Sequence, residues 1–548
     1  MKTFSPKFFE NLKNYDKKQL PKDIVAGIIV AIIALPLSIA LAIASGVSPE
    51  KGIYTAIVAG FVISFLGGSN VNISGPTAAF ATIVAGIVAQ YGEGGLVIAT
   101  IMAGLLLILM GFLKLGSLIK YIPYTITTGF TSGIAVTIVA GQLKDFFGLT
   151  YPAGTHTIET MEKLSAAAHN FNTFNAEAFI VGLISMAILI VWPKINKKIP
   201  GSLIAVIAGV IIVKLFKMNV NTIGDLYSIS RALPSFSVPA IELSAIRNLI
   251  PSAFTIAILA GIESLLSCVV SDSMINDKHN SNTELIAQGA GNICSGLFGG
   301  IPATGAIART AANVKNGGRT PVSGMVHALV LLLVLVVLMP YAAWIPMPVI
   351  AAILFMVAYN MCEWRHFVHI CKTAPKSDIL VLVVTFLLTV IFDLVVAIEV
   401  GMIIAVVMFM KRMSDVTHIR VWKSADKESK EDLGRYKKVP ENTVVFEIHG
   451  PMFFAATEKF SQISIPDDVK VVILRMRNVL SLDATAMRTL DSVYTICEKR
   501  GARLVLSHVN KQPYQALKKA LFINKIGEES IRENIDDALA YAETIVSK

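Results

Sequence analysis

The chain has 548 residues, is 54% hydrophobic and only 16% charged, with a mean hydropathy of +0.65. That balance excludes an ordinary water-soluble globular protein of this size. The formal net charge of +10 fits basic residues gathered in inner membrane loops better than nucleic-acid binding, and the five scattered cysteines suggest neither a zinc site nor a disulfide framework.

Residues 1–22 read as a basic, polar lead-in carrying Lys2, Lys7, Lys13, Lys17, Lys18 and Lys22, with no signal-peptide cleavage site after the first apolar run. Fourteen apolar segments, two of them short, are expected at 23–44, 52–66, 76–90, 95–113, 122–142, 177–193, 200–216, 249–270, 283–298, 305–315, 321–339, 342–360, 377–394 and 396–412. They predict a membrane domain over 23–412. With the N-terminus inside, the inner loops collect Lys114, Lys120, Lys194, Lys197, Lys198, Lys278, Arg319, Arg365 and Lys376, which predicts an even number of crossings and cytoplasmic termini. Pro36 is expected to kink the first span. From 413 the composition turns charged, so 413–438 reads as a linker and 439–548 as a small α/β domain. Its expected strands are Thr443–Ile448, Val469–Leu474 and Arg503–Ser507, and its helices lie near Asp483–Arg500, Gln512–Leu521 and Ile535–Val546.

Two stretches look like one device used twice. Ser74-Gly75-Pro76-Thr77-Ala78-Ala79 and Thr304-Gly305-Ala306-Ile307-Ala308-Arg309 each follow a glycine pair, Gly67-Gly68 or Gly299-Gly300, and a few residues of extended character. Each opens a helix too short to cross a bilayer, the mark of a transporter binding site. Helix starts carry unpaired N–H groups and the positive dipole end, so two facing starts would cradle an anion. Gly75 and Gly305 would let a substrate approach the backbone, and Pro76 suits a first helical turn. Ser74, Thr77 and Thr304 offer hydroxyl donors. Arg309, four residues after Gly305, is expected on the same helix face, making the site positive. Glu263 stands in an apolar run with no base nearby in sequence and could gain and lose a proton near neutral pH. His327 reads as a satisfied core histidine, and Asp393 and Glu399 as facing water or a helix end. Neither an ATP-binding loop nor a catalytic metal or nucleophile constellation stands out, so no enzyme activity, primary pumping or cofactor is expected.

The stretch Glu263–Arg319 resembles the SulP family of anion transporters, the sulfate-permease-like group. The match is carried by Gly261-Ile262-Glu263-Ser264-Leu265-Leu266, by His279-Asn280-Ser281-Asn282, and by the run from Gly299 to Thr310. The turn Asp483-Ala484-Thr485 resembles that of the STAS domain ending many such proteins. The resemblance covers nearly the whole chain. It implies an all-α polytopic domain of two inverted repeats of seven segments, split into core and gate, followed by a cytoplasmic α/β STAS domain. It also implies a homodimer and an anion site on Ser74, Gly75, Thr77, Ala78, Glu263, Ser267, Gly305, Ala306, Ile307 and Arg309.

Departures from the family bear on the substrate. Sodium-coupled bicarbonate members tend to have aspartate at the place of Glu263 and threonine at that of Ile307, which weakens a sodium site. Leu37 stands where many eukaryotic exchangers have glutamine. The resemblance therefore points to proton-coupled uptake of sulfate or a small dicarboxylate by alternating access, in the inner or plasma membrane. Sodium-coupled bicarbonate transport, anion exchange, an anion channel and a membrane-anchored STAS signalling scaffold are the alternatives. Ala484 replaces the serine phosphorylated in anti-sigma-factor antagonists, so the domain is expected to serve dimerisation, trafficking or docking of a cytoplasmic protein. The expected partners are a small anion, protons, membrane lipid and a second copy, and no nucleic acid.

Overall fold

The structure, a computed structural model, describes residues 4–547 except 14, 118–122, 153–154, 156, 158, 197–198, 231, 239–242, 393, 423–438 and 457–464. The sequence expectations for Lys120, Lys197, Lys198, Asp393 and most of the linker fall outside the described residues. The chain divides into two units, Met1–Met402 and Ile403–Lys548.

In the first unit a short helix α1 (Lys7–Leu12) precedes α2 (Leu20–Ala44), α3 (Pro49–Leu66), α4 (Ala81–Phe112), α5 (Tyr124–Phe147), the peripheral α6 (Thr160–His169), α7 (Ala176–Ile195) and α8 (Gly201–Phe216). After a single turn α9 (Ile223–Leu226) come α10 (Leu243–Ile275), α11 (Ser281–Leu297), α12 (Ile307–Lys315), α13 (Val322–Ala342), α14 (Met347–Cys362), α15 (Trp364–Thr373) and α16 (Lys376–Ile391), and α17 (Leu394–Val416) begins in this unit and ends in the second. Eight helical spans among the described residues are long and apolar enough to cross a membrane on length and composition alone. The spans expected at 76–90 and 95–113 form one helix, α4, broken at Gly92, whose φ of 66° and ψ of −173° no helix can hold. Thus α4 supplies two segments and each half contributes seven.

Packing sorts the helices into two groups. One joins α2, α3 and α4 to α10, α11, α12 and α13; the other joins α5, α7 and α8 to α14 and α16. Members of each group come from both halves of the chain, the division into core and gate. In the first group α4 and α11 cross on Gly104 and Gly289, where a Cβ on either would stand 2.6 or 2.4 Å from the other's carbonyl oxygen.

The N-terminal residues are a clasp rather than a free lead-in. Ser5 N donates to Thr283 Oγ1 at 3.0 Å, Lys7 N donates to the Gly67 carbonyl at 2.9 Å, and Phe8 and Phe9 pack on Phe65. Asp23, buried at the start of α2, accepts from Tyr15 Oη, Gln19 Nε2, the Arg319 N–H and Thr320 Oγ1.

The second unit carries a five-stranded sheet in the order β3 (His418–Trp422), β4 (Thr443–His449), β5 (Val471–Asn478), β6 (Arg503–Ser507), β7 (Ile531–Arg532). All neighbours are parallel except β3 and β4. Val472, Leu474, Leu504 and Leu506 face a core closed by Leu490, Val493 and Cys497 of α18 (Ala484–Lys499). Val471, Ile473 and Val505 face Ile535, Ala538 and Ala542 of the last helix, Ile535–Val546. A sheet buried on both faces explains strands that read as continuous apolar runs. The expected linker at 413–438 is corrected here: α17 runs to Val416 and β3 follows at once. Its His418 and Arg420 read as linker by charge, yet an edge strand tolerates such residues.

Candidate functional site

The two repeated stretches meet. Ser74 and Gly75 form β1, Thr304 and Gly305 form β2, and the two pair antiparallel with Ser74 opposite Gly305 and Gly75 opposite Thr304. The Ala306 N–H extends the ladder to the Ile73 carbonyl at 2.8 Å. Extended backbone inside a membrane domain is tolerated because it is buried in protein and its polar groups are paired. Asn292 of α11 grips Ala303 on both sides, donating to its carbonyl at 2.9 Å and accepting from its N–H at 2.8 Å. Thr310 and Asn313 of α12 hold Ile73 N and the Val71 carbonyl.

Beyond the ladder each strand turns into a helix. On one side Thr77 caps a short 3-10 turn, Ala78–Phe80, that runs into α4; on the other Ala306 caps α12. The first-turn N–H groups of Ile307, Ala308 and Arg309 have no carbonyl within the helix to bond. Ile307 and Ala308 are exposed, and Thr77, Glu263 and Ala306 half-buried, so this rim is open. Glu263 of α10 accepts from Thr77 Oγ1 at 2.9 Å. Arg309 is 3% exposed; its Nη2 donates to the Pro76 carbonyl at 3.1 Å, and its Nη1 has no hydrogen-bond partner. One buried guanidinium, one carboxylate and two helix starts thus surround a single location.

Several residues behave differently from the expectation. Gly305 lies in β2, not on the α12 face that carries Arg309. Gly75 and Gly305 are closely packed. A Cβ at 75 would sit 2.5 Å from Arg309 Nη1, and one at 305 would sit 2.6 Å from Asn72 Nδ2 and 3.0 Å from Ser264 Cα. Pro76 precedes the helix cap and contributes its carbonyl to Arg309. The Thr304 hydroxyl is spent on the Ala260 carbonyl at 2.7 Å, and Ser74 Oγ accepts from Gln288 at 2.9 Å. Ser267 is buried and hydrogen-bonded through its hydroxyl to Asn72 and Thr310, so it braces the strands. Ala78 is buried at the helix start. His327 is fully buried but not satisfied: neither ring nitrogen has a hydrogen-bond partner. Glu399 is exposed on α17. Sequence reasoning missed Asn72, Glu284, Gln288, Asn292 and Thr310. The signal was there for α11, where Glu284, Gln288 and Asn292 recur every fourth residue in an apolar span.

Residues 20–385 match the model of the sulfate permease family, and residues 436–538 match the STAS domain. Among curated proteins, a putative sulfate transporter YvdB of Bacillus subtilis is 39% identical over 544 residues, covering 97% of this chain and 99% of that protein. The bicarbonate transporter BicA of a Picosynechococcus species is 31% identical over 539 residues, covering 95% of this chain and 94% of its own. Among solved structures, the murine solute carrier 26 family member A9 anion transporter, in the inward-facing state, shares the fold with a TM-score of 0.88 at 20% identity, covering 98% of this chain and 94% of that one.

Proposed function

Because the chain belongs to the sulfate permease family, we propose that it is a secondary active transporter that takes up sulfate or a small dicarboxylate together with protons by alternating access. The observation that supports this reading most directly is the β1–β2 pairing, which brings two helix starts, Arg309 and Glu263 to one place. An anion there would take N–H donors from the starts of α12 and of the Ala78–Phe80 turn, with Arg309 behind them. The charges provide the coupling. With Glu263 protonated, Arg309 and the helix dipoles leave the site positive and anion binding is favoured. With Glu263 ionised, its charge cancels that of Arg309 and the anion is released. Proton and anion therefore bind together and leave together as the core moves against the gate. Both termini face the cytoplasm in this reading, in keeping with the Lys and Arg content of the inner loops, and the protein acts as a homodimer.

Uptake into proteoliposomes tests it, with sulfate, succinate, fumarate, bicarbonate and chloride offered under pH or sodium gradients. Concentrative uptake of sulfate or a dicarboxylate driven by the pH gradient alone is expected. A requirement for sodium would overturn the coupling. Glu263→Gln is expected to bind anion but lose pH-driven accumulation, and unchanged accumulation in that variant would remove Glu263 from the proton's route.

A further inference from the structure

The face of α11 that carries Glu284, Gln288 and Asn292 points at the loop before β1 and at α10. Glu284 is 1% exposed and accepts four hydrogen bonds. Its Oε1 takes Asn72 Nδ2 at 2.8 Å, Ser264 Oγ at 3.0 Å and Gln288 Nε2 at 3.0 Å, while Oε2 takes the Gly68 N–H at 2.9 Å. All four partners are donors, the set an ionised carboxylate satisfies. Among the described residues no Lys, Arg or His pairs with it. A carboxylate buried without a cation is expensive, and apolar packing would hold helices together at less cost.

What the carboxylate adds is geometry. Asn72, held by Oε1, turns its own carbonyl oxygen to Ser267 at 2.7 Å and Thr310 at 3.1 Å. Gln288 reaches on to Ser74 Oγ in β1. Ser264 follows Glu263 in the chain, and its Cα stands 3.0 Å from where a Cβ on Gly305 would be. At one remove, Glu284 therefore touches β1, β2, the first turns of α12 and the turn of α10 that bears Glu263.

We propose that Glu284 is the positioning residue of the anion site, a role that rests on the transport reading above. It meets no substrate. It fixes the separation of the two helix starts, so its loss costs anion affinity and leaves the proton dependence in place.

The test uses the full chain carrying Glu284→Leu or Glu284→Asp. Sulfate uptake is measured in proteoliposomes, and amide hydrogen exchange is measured in nanodiscs without anion. Glu284→Leu is expected to raise KM about tenfold or more, with the maximal rate and the pH profile retained. Glu284→Asp recovers most of the affinity. Exchange is expected to quicken in peptides spanning 73–80 and 304–310 and to stay slow in α5, α14 and α16. A folded Glu284→Leu protein with unchanged KM and unchanged exchange overturns the proposal. So does a uniform rise in exchange across both helix groups, which marks a merely structural role. Where Glu284→Leu does not fold, Ser264→Ala removes a single donor and is read by the same pair of measurements. Should the unaltered protein move no anion, the transport reading fails, and the exchange data still decide whether Glu284 holds the strands.

Discussion

Gly75 and Gly305 occupy paired strands, yet substitution should act differently at each. The atom facing a Cβ at 75 is the far end of an arginine, which can swing aside; the atoms facing one at 305 include the backbone of Ser264. Gly75→Ala is expected to fold normally and bind anion more weakly, because it displaces the Arg309 guanidinium. Gly305→Ala is expected to lower the yield of folded protein, since a Cα must move. Size-exclusion profiles and sulfate KM, measured side by side, check the contrast. In the STAS domain, burial pushes the Cys497 thiol up to about 11 from an ordinary 9.0. The folded domain keeps that proton where the unfolded chain has lost it. The thiol's contribution to stability is therefore complete below about pH 9 and falls away as the pH rises towards 11. Cys497 is expected to resist thiol reagents at pH 8 in the folded domain and to react at once in denaturant, as a colorimetric thiol titration would show.

At the level of elements, α4 divides into two segments because Gly92 adopts a backbone conformation that no helix can hold. A Cβ there would meet nothing within 4 Å, so the penalty for Gly92→Ala is purely conformational. A loss of about 1–3 kcal/mol is expected, visible as a lower midpoint of thermal unfolding with the substrate preference unchanged. The longer membrane segments were legible because a bilayer imposes one simple rule, about twenty apolar residues per crossing. The paired motifs were legible because glycine pairs and a helix start recur in matching order. The pairing partner of each side chain was not. Whether Thr304 faces the rim or the Ala260 carbonyl depends on the approach of α10, which lies far away in sequence. The close packing at Gly75 and Gly305 was hidden for a related reason: their neighbours are supplied only by the tertiary fold. In the second unit the central strands were readable from their apolar runs, whereas β3 was hidden by its own charge and the two-residue β7 by its brevity.

For the molecule as a whole, the boundary of the STAS domain matters. Trp422 of β3 donates its indole N–H to Glu447 at 3.0 Å, and β3 covers one edge of β4, whose Val445, Phe446 and Ile448 are buried. A fragment of residues 418–548 is expected to be soluble and to unfold cooperatively, whereas 439–548 leaves that edge bare and is expected to self-associate. Light scattering of the two fragments at equal concentration distinguishes them.

The clasp and the strand pair share one property: their partners are far apart in the chain. Asp23 takes one of its hydrogen bonds from a threonine 297 positions later, and Arg309 reaches back 233 positions to Pro76. A ribosome delivers the earlier members long before the later ones. Until then, a buried carboxylate and a stretch of unpaired backbone must wait inside or beside the lipid, where neither is stable alone. The first half of this chain is thus made in a state that its second half must repair, and the insertion machinery of the cell has to shelter it through that interval.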